Sequence, residues 1–292
     1  MKRLTASILA AAFALTLGMF GFAGAGQAAD FDKGNDISVV SREDGSGTRG
    51  AFVELFKIEV KTPEGGKKDM TTKEAVIANK TDVMMVNIAN DPYAIGYISL
   101  GSMNASIKAL DIDGVKASAE NVKNGSYKIS RPFNIATKGE PTGLAKDFIS
   151  FILSKDGQAV VGKSYIAVKE NAAPYAGGKM SGKITVAGSS SVSPIMEKLK
   201  EAYVAKNPGA VVEVQMSDST AGMTGAMNGT CDIGMSSREL KDSEKAKLTA
   251  LAIAHDGIAV IVNNKNPLTN LSNAQVKDIF TGASKTWDQV GK

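Results

Sequence analysis

The chain has 292 residues, of which 34 are basic and 30 acidic, and its formal net charge is +4. Basic and acidic residues are interspersed without the basic stripe that duplex binding requires, so nucleic acid is a poor candidate partner. The single cysteine, Cys231, cannot form an intrachain disulfide, and one cysteine with one histidine excludes a Cys/His metal cluster. We expect neither a metal nor a cofactor.

The first 29 residues have the features of a secretory signal peptide. Lys2 and Arg3 precede an apolar run from Ile8 to Phe22, which gives way to small residues before a cleavage zone near residues 28 and 29. The run is short for a membrane span of roughly 20 residues. We therefore expect export to the periplasm or the medium, with no cysteine placed to accept a lipid. Losing Lys2 and Arg3 lowers the formal charge from +4 to +2, which is nearly neutral.

Strand-like and helix-like segments alternate along the remaining chain. ISVVS precedes TRGAFVELF, KITVAG precedes SPIMEKLKEAY, and VVEVQM precedes TAGMTGAMNG. This alternation predicts an α/β fold with largely parallel sheets. The 263 residues after residue 29 are enough for two domains of about 100 to 150 residues each.

Three segments could connect these domains. The stretch from Lys169 to Gly182 is rich in glycine, alanine and polar residues, which favours a linker. The segments Ile129–Ala136 and Ile258–Val262 are extended and apolar. Each is either a strand that passes between domains or a buried strand within one domain, and periodicity does not separate the two alternatives.

The loop from Ser41 to Gly50 lies between a strand-like and a helix-like segment. The first amides of a helix lack partners within the helix, and the helix dipole adds partial positive charge, so this position favours an anion. Gly47 allows close approach of the backbone, Ser46 and Thr48 offer hydroxyl groups, and Arg42 offers a planar fork of donors. Simple N-capping of the helix is the alternative.

Two other patterns fall in this loop. Gly45, Gly47 and Gly50 match the dinucleotide pattern GxGxxG, but no acidic residue ends a second strand about 20 residues later, so we give the match little weight. Asp44 is better explained as an ion-pair partner that orients the guanidinium of Arg42.

Three more hydroxyl-rich loops follow strand-like segments, at residues 188–194, 217–222 and 236–238. One such loop would be explained by helix capping alone. Four of them in one chain favour a set of walls that converge on a desolvated oxyanion.

A hydrolase is the weaker interpretation. A serine nucleophile needs a base, and the only histidine, His255, lies in a strand-like segment where a structural role is expected. The residues around Ser46 and Ser191 do not match GxSxG. We therefore expect a binding protein and not an enzyme, with a secreted phosphatase as the alternative from another class.

Five motifs resemble PstS-type phosphate-binding proteins of bacterial ABC importers: SREDGSGTRGAF, AGSSSVSPIMEKL, SDSTAGM, CDIGMSSREL and DPYAIGYISLG. The likeness covers almost the whole chain after the signal peptide. It implies the two-domain Venus-flytrap fold of periplasmic binding proteins, with inorganic phosphate held in the cleft. A membrane permease of the importer would be the protein partner, and the binding protein itself would be a monomer.

The order of the motifs differs from that of the family. The part that resembles the family's first half, residues 182–290, here follows the part that resembles its second half, residues 37–168. This order indicates a circular permutation, either natural or engineered, with residues 169–182 joining the former ends. The resemblance then implies a continuous domain I at 130–262 and a discontinuous domain II at 30–129 plus 263–292.

The resemblance also implies a set of phosphate-binding residues, with Asp44 and Asp218 in support. The set is Arg42, Ser46, Gly47, Thr48, Ser191, Val192, Ser219 and Ser237. Known members of the family carry an aspartate at the position of Ser237, where it accepts the proton of hydrogen phosphate and repels sulfate. Another tetrahedral oxyanion, such as sulfate, is therefore an alternative ligand, unless Asp218 or Asp44 supplies the missing acceptor.

Overall fold

The computed structural model describes residues 31–63 and 66–290. The signal peptide predicted at residues 1–29 lies outside this part of the chain. Every helix in the described ranges is too short or too polar to cross a bilayer.

The described residues form fourteen strands and nine α-helices. The strands are β1 Ser38–Arg42, β2 Glu59–Lys61, β3 Lys67–Asp69, β4 Val76–Ala78, β5 Ala94–Ser99, β6 Ile107–Ala109, β7 Asp111–Ile112, β8 Ser130–Thr137, β9 Ile166–Ala167, β10 Ser181–Ser189, β11 Gly209–Ser217, β12 Ile233–Ser236, β13 Thr249–Asn263 and β14 Asn270–Leu271. The helices are α1 Gly47–Leu55, α2 Thr81–Asn90, α3 Ala119–Lys123, α4 Gly143–Leu153, α5 Lys155–Val161, α6 Ser193–Lys206, α7 Ser219–Asn228, α8 Asp242–Lys245 and α9 Asn273–Thr281. A short 3₁₀ turn spans Leu100–Ser102.

One large sheet runs through the molecule in the order β11-β10-β12-β8-β13-β5-β1-β4. The strands β11, β10 and β12 are parallel to one another, and so are β5, β1 and β4. Between these two blocks, β8 and β13 pair antiparallel to each other and to their outer neighbours. The predicted α/β class with a mainly parallel sheet in each half is confirmed, and the two crossing strands are where the parallel pattern breaks.

Separate hydrophobic cores lie on either side of this crossing. One core is built from residues 37–129 together with 258–287, and we call this part the discontinuous lobe. On the other side, a large and a small core are built from residues 133–254, and we call this part the continuous lobe. Ile258–Val262, which the family resemblance placed at the end of domain I, are fully buried in the core of the discontinuous lobe. The chain crosses between the lobes within β13.

The apolar periodicity of the sequence accounts for the long helices. In α6, Ile195, Leu199 and Tyr203 recur at four-residue spacing and are all completely buried, as expected for one face of a helix. In α4, Phe148 and Phe151 are buried in the same core. These apolar faces pack their helices against the sheet. The polar loops lie at the ends of the strands.

The two crossing strands carry a buried ion pair. Arg131 on β8 lies opposite Asp256 on β13, with Nη2 3.2 Å from Oδ2, and both side chains are almost fully buried. Asp256 also accepts a hydrogen bond from the Ser99 hydroxyl at 3.0 Å, while Arg131 donates to the carbonyl oxygen of Ser237 at 3.0 Å. Of the two alternatives left by the sequence, the structure supports strands that pass between the lobes.

The predicted linker is an ordered part of the continuous lobe. Its last two residues, Ser181 and Gly182, belong to β10, and the remainder is irregular. The Tyr175 ring packs edge-on against Phe151 with centroids 5.2 Å apart, and its hydroxyl donates to the Asp147 carboxylate. Tyr175 therefore fixes the middle of the segment to α4.

The first and last described segments of the chain lie side by side. The Ile37 amide donates to the Lys285 carbonyl at 2.7 Å, and the Asp288 amide donates to the Lys33 carbonyl at 2.7 Å. Residues 33–37 and 285–288 are thus joined by backbone hydrogen bonds within the discontinuous lobe.

Candidate oxyanion site

The polar loops of the two lobes meet face to face in a cleft beside the crossing strands. Thr48 Oγ1 in the discontinuous lobe shares a hydrogen bond with Ser191 Oγ in the continuous lobe at 2.8 Å. Arg42 Nη2 donates to Ser190 Oγ across the same cleft at 2.9 Å. All four side chains are at most 2 % exposed, so water has little access to the groups between the lobes.

The wall from the discontinuous lobe is the turn between β1 and the first residues of α1. Ser46 is the N-cap of α1, and its hydroxyl accepts a hydrogen bond from the Arg49 amide at 3.3 Å. The helix then begins at Gly47, with Thr48 completely buried. The alternative of simple capping is therefore realised by Ser46, while the Thr48 hydroxyl faces the other lobe.

Gly47, like Gly45, is a point of close approach between the lobes. A Cβ atom at this position would lie 2.3 Å from Ser219 Oγ and 2.8 Å from Ser237 Oγ, both closer than real Cβ contacts. Glycine is thus favoured here by the packing of α1 against the opposite wall, and the buried backbone of residue 47 faces two hydroxyl groups.

Arg42 is the cationic centre of the site and is 1 % exposed. The structure corrects its predicted ion pair, because the partner is Glu43 and not Asp44. Glu43 accepts from Arg42 Nε at 2.8 Å and from Nη2 at 2.7 Å, a bidentate pair that fixes the plane of the guanidinium. The Asp44 side chain is 96 % exposed and pairs with Arg49 instead.

Two side chains hold the loop in place, one from β5 behind it and one from within the loop itself. The Tyr97 hydroxyl shares a hydrogen bond with Ser41 Oγ at 2.8 Å and accepts one from the Arg42 amide at 3.1 Å. Burial raises the pKa of Tyr97 to about 12, so its hydroxyl stays protonated. Arg49 donates to the Arg42 carbonyl at 2.8 Å and forms an ion pair with Asp69. The loop is thus held in place by hydrogen bonds from Tyr97 and from Arg49.

The wall from the continuous lobe consists of serine hydroxyl groups in contact with one another. Ser189 Oγ donates to Ser237 Oγ at 2.9 Å, and Ser219 Oγ accepts from the Ser237 amide at 3.1 Å. These three residues are at most 3 % exposed. Hydroxyl groups donate or accept as their surroundings require, so such a wall can turn its donors toward an anion.

Val192 contributes through its backbone alone. Its side chain is fully buried in the core of the continuous lobe, at the N-cap of α6. Its amide donates to the Ser189 carbonyl at 3.0 Å. The Val192 amide, like those of Ser191 and Ser46, therefore already has a partner within its own loop.

The other two loops of this lobe differ from each other. Asp218 is the N-cap of α7, where its carboxylate accepts from the Ala221 amide at 2.8 Å, so this residue supports the loop as a cap. The loop after β12 does not open a helix directly, because α8 begins only at Asp242. Three of the four predicted strand-to-helix loops are found, and Ser237 is held in place by hydrogen bonds to neighbouring strands and loops.

Three residues of the site were not predicted from the sequence. Thr81, the first residue of α2, lies with its hydroxyl 3.3 Å from Ser191 Oγ and 3.4 Å from Ser190 Oγ. Ser190 and Glu43 both contact Arg42 directly. Ser190 and Glu43 stand next to predicted residues in the sequence, whereas Thr81 lies in no hydroxyl-rich loop and gave no such signal.

The arrangement suits binding of a dehydrated anion. It combines one guanidinium, whose charge is balanced by Glu43, with uncharged hydroxyl and amide donors from both lobes. Within residues 31–63 and 66–290, no group of three or more His, Cys, Asp or Glu side chains is placed to hold a metal ion. His255 lies exposed on β13, next to the buried Asp256.

Gly47→Ala is expected to weaken oxyanion binding without unfolding the protein. The added methyl group collides with Ser219 and Ser237 only when the lobes are closed, and overpacking of this kind costs about 1 to 3 kcal/mol, or roughly 5- to 150-fold in affinity. Titration calorimetry with phosphate measures the effect. Gly50→Ala in the same helix is the control, since its nearest neighbour would be Arg238 Cδ at 3.6 Å. Equal losses in both variants would contradict the assignment of Gly47 as the contact point.

The sequence matches a family model described as a PBP superfamily domain, over residues 22–156 and 173–292. It is 55% identical to the phosphate-binding protein PstS 2 of Streptococcus agalactiae over 258 residues, which cover 88% of each chain. PstS 2 of Streptococcus pneumoniae is 49% identical over 256 residues, or 87% of each chain. The match to PstS of Bacillus subtilis is 37% identical over 141 residues, covering 47% of this chain and 44% of that one.

A solved structure gives the same result. The phosphate-binding protein of a phosphate ABC transporter from Streptococcus pneumoniae TIGR4 superposes with a TM-score of 0.70 at 48% sequence identity. The match covers 88% of this chain and all of that one. Sequence, fold and the hydroxyl-lined cleft therefore agree that the chain belongs to the PstS family of phosphate-binding proteins within the PBP superfamily.

Proposed function

We propose that this protein is an extracytoplasmic solute-binding protein that captures inorganic phosphate between its lobes and delivers it to the permease of an ABC importer. The observation that carries the proposal is the buried Arg42 guanidinium, surrounded by hydroxyl groups from both lobes. The relatives named as phosphate-binding proteins support it. Export through the predicted signal peptide and a monomeric state belong to the same proposal.

Capture requires phosphate to exchange its hydration shell for protein donors. Thr48, Ser191 and Ser219 supply neutral hydroxyl groups, which lose less on burial than charged side chains do. Arg42 adds one charge-assisted fork. The ligand shifts the population toward the closed form, because some of its contacts with the protein are made only in that form. No bond of the ligand is broken, so the proposal is of binding and not of catalysis.

Arg42→Ala tests the proposal directly. Loss of a hydrogen bond from a charged group costs about 1.5 to 3 kcal/mol, so the dissociation constant for phosphate should rise by roughly 10- to 150-fold. Titration calorimetry on protein with unchanged circular dichroism measures it. Arg42→Lys keeps the charge but cannot contact Glu43 and Ser190 through one planar fork. Its affinity for phosphate should therefore lie between those of the wild type and Arg42→Ala. An unchanged dissociation constant in Arg42→Ala would refute the role of Arg42.

Selectivity among oxyanions depends on the position of Ser237. In the family resemblance an aspartate stands here, and such a carboxylate accepts the proton of hydrogen phosphate while it repels sulfate. The Ser237 hydroxyl is 1 % exposed and already lies among the hydroxyl groups of Ser189 and Ser219. Neither Asp44, which is exposed beside Arg49, nor Asp218, which caps α7, is engaged in this group. We infer that sulfate is a competing ligand of this cleft.

Ser237→Asp is expected to raise the preference for phosphate over sulfate at least tenfold at neutral pH. The new carboxylate accepts a hydrogen bond from protonated phosphate but faces only repulsion from fully ionised sulfate. Competition titrations of both anions against the wild type and the variant measure the ratio. Ser237→Asn is the control, because asparagine is uncharged and close in size to aspartate. This variant should still bind sulfate. A phosphate-to-sulfate ratio that is the same in the aspartate and asparagine variants would contradict this.

We also propose that the order of the two halves is a circular permutation of the order in other family members. The paired segments 33–37 and 285–288 place the two ends of the fold side by side, as permutation requires.

A rearranged chain tests this proposal. The variant begins at residue 181, and a short Gly/Ser linker joins its residue 290 to residue 33, so that the chain ends at residue 180. The segment that carries Tyr175 keeps all its described contacts. Because the joined ends already lie side by side, we expect one cooperative unfolding transition and a phosphate dissociation constant within about threefold of the wild type. Calorimetry of unfolding and of binding measures both. If the rearranged chain fails to fold while the chain in its present order folds, the proposed permutation is contradicted.

A further inference from the structure

A second contact between the lobes lies next to the oxyanion site in sequence but uses none of the residues assigned to the anion. The Gly45 carbonyl oxygen in the discontinuous lobe accepts two hydrogen bonds from Thr220 in the continuous lobe. One comes from the Thr220 amide and one from its hydroxyl group, both at 3.2 Å. A carbonyl oxygen is an acceptor and has no proton to give to an anion. This contact therefore joins the lobes without belonging to the oxyanion site.

The local structure leaves both donors of Thr220 available to the other lobe. Asp218 is already the N-cap of α7, where its carboxylate accepts from the Ala221 amide at 2.8 Å, so the Thr220 hydroxyl is not needed as a cap. The Thr220 amide lies in the first turn of α7, where amides have no partner within the helix. A Cβ atom at Gly45 would lie 2.3 Å from Asp218 Oδ1, so only glycine lets its carbonyl come this close.

A buried arginine orients the Thr220 hydroxyl group. Arg238 is 8 % exposed and donates from Nη2 to Thr220 Oγ1 at 3.3 Å. A guanidinium only donates, so the single proton of the hydroxyl is left for the Gly45 carbonyl. Glu244 accepts from Nη1 at 2.7 Å and from Nη2 at 2.8 Å, which balances the charge of Arg238 and fixes the plane of its guanidinium. The charge of Arg238 is thus used within the continuous lobe.

The aliphatic part of the same arginine packs against the other lobe. A Cβ atom at Gly47 would lie 3.1 Å from Arg238 Cγ, and one at Gly50 would lie 3.6 Å from Arg238 Cδ. The glycine face of α1 therefore rests on the methylene groups of Arg238, while its charged end lies on Glu244. Packing and hydrogen bonding join the lobes at the same place.

We propose that Thr220 is a positioning residue for anion binding, which forms with Arg238 and Glu244 a latch to Gly45 that slows opening of the cleft. This inference rests on the proposed function, since it concerns the same cleft. Contacts that exist only in the closed form lower the rate of ligand release. They add the same stabilisation for every anion, so the latch sets the residence time of the ligand and not the choice of ligand.

Thr220→Val tests the latch, because it removes the hydroxyl group and keeps the size of the side chain. Loss of one neutral hydrogen bond should raise the rate constant of phosphate dissociation about 2- to 12-fold. The association rate constant should change less than about twofold, since the latch closes after the anion has entered. Rapid filtration of protein loaded with radiolabelled phosphate, chased with unlabelled phosphate, measures dissociation. Calorimetry gives the dissociation constants for phosphate and sulfate, which should rise by the same factor.

Two further variants control the experiment. Thr220→Ser restores the hydroxyl group and should release phosphate at the wild-type rate. Thr230→Val also removes a threonine hydroxyl from the continuous lobe, but that hydroxyl donates to the Gly225 carbonyl at 3.3 Å within the same lobe. This variant should release phosphate as the wild type does.

The outcomes separate the two proposals. Phosphate release that is unchanged in Thr220→Val, or equally fast in Thr220→Ser or Thr230→Val, overturns the latch and leaves the proposed function intact. A changed ratio of phosphate to sulfate affinity also overturns it, because Thr220 would then act on the anion directly. If the folded wild type binds sulfate and not phosphate, the proposed function is wrong. Faster release of labelled sulfate from Thr220→Val then supports the latch, and unchanged release overturns it. If neither anion binds, both proposals are wrong.

Discussion

The buried ion pair between Arg131 and Asp256 is the constraint on which the geometry of the cleft depends. Two charges removed from water are stable only when hydrogen bonds satisfy their remaining atoms. Asp256 is satisfied by Ser99 and the Gly101 amide, and Arg131 by the carbonyl of Ser237. Burial nevertheless raises the pKa of Asp256 to about 6, against the opposing effect of Arg131. The pair thus links the crossing strands to one wall of the site and to the discontinuous lobe at once.

The binding site itself uses charge sparingly. Its one guanidinium is held by Glu43, so the closed cleft contains no unbalanced buried charge before a ligand arrives. The remaining donors are hydroxyl and amide groups, and each hydroxyl can exchange a neighbouring hydroxyl for an anion without leaving a polar atom unsatisfied. Close packing at Gly45 and Gly47 then limits how far the lobes approach. Steric fit sets the distance between the walls, and hydrogen bonding sets what can lie between them.

Much of this could be predicted from the sequence, and the failures have physical causes. The α/β class, the crossing strands and the Ser46 cap follow from local pattern and resemblance. The ion-pair partner of Arg42 could not be decided locally, because Glu43 and Asp44 are adjacent and only the turn after β1 determines which carboxylate points inward. Thr81 depends on the pairing of β4 with β1, a contact between segments more than 30 residues apart. The lobe boundary within β13 coincides with His255 and Asp256, which separate the core residues up to Ala254 from those that begin at Ile258, and local pattern does not reveal that the chain changes lobe there.

The division of the discontinuous lobe between the two ends of the chain has a consequence for how the protein folds. The continuous lobe, residues 133–254, has all of its core residues in one stretch and can collapse as soon as that stretch is available. The other lobe needs Val276, Ile279 and Phe280 from α9, at the opposite end of the described chain from β1. Its sheet edge at β4 and β1 therefore stays incompletely packed until α9 has docked. Contacts between such distant segments form slowly, so this lobe is expected to complete its folding after the continuous lobe.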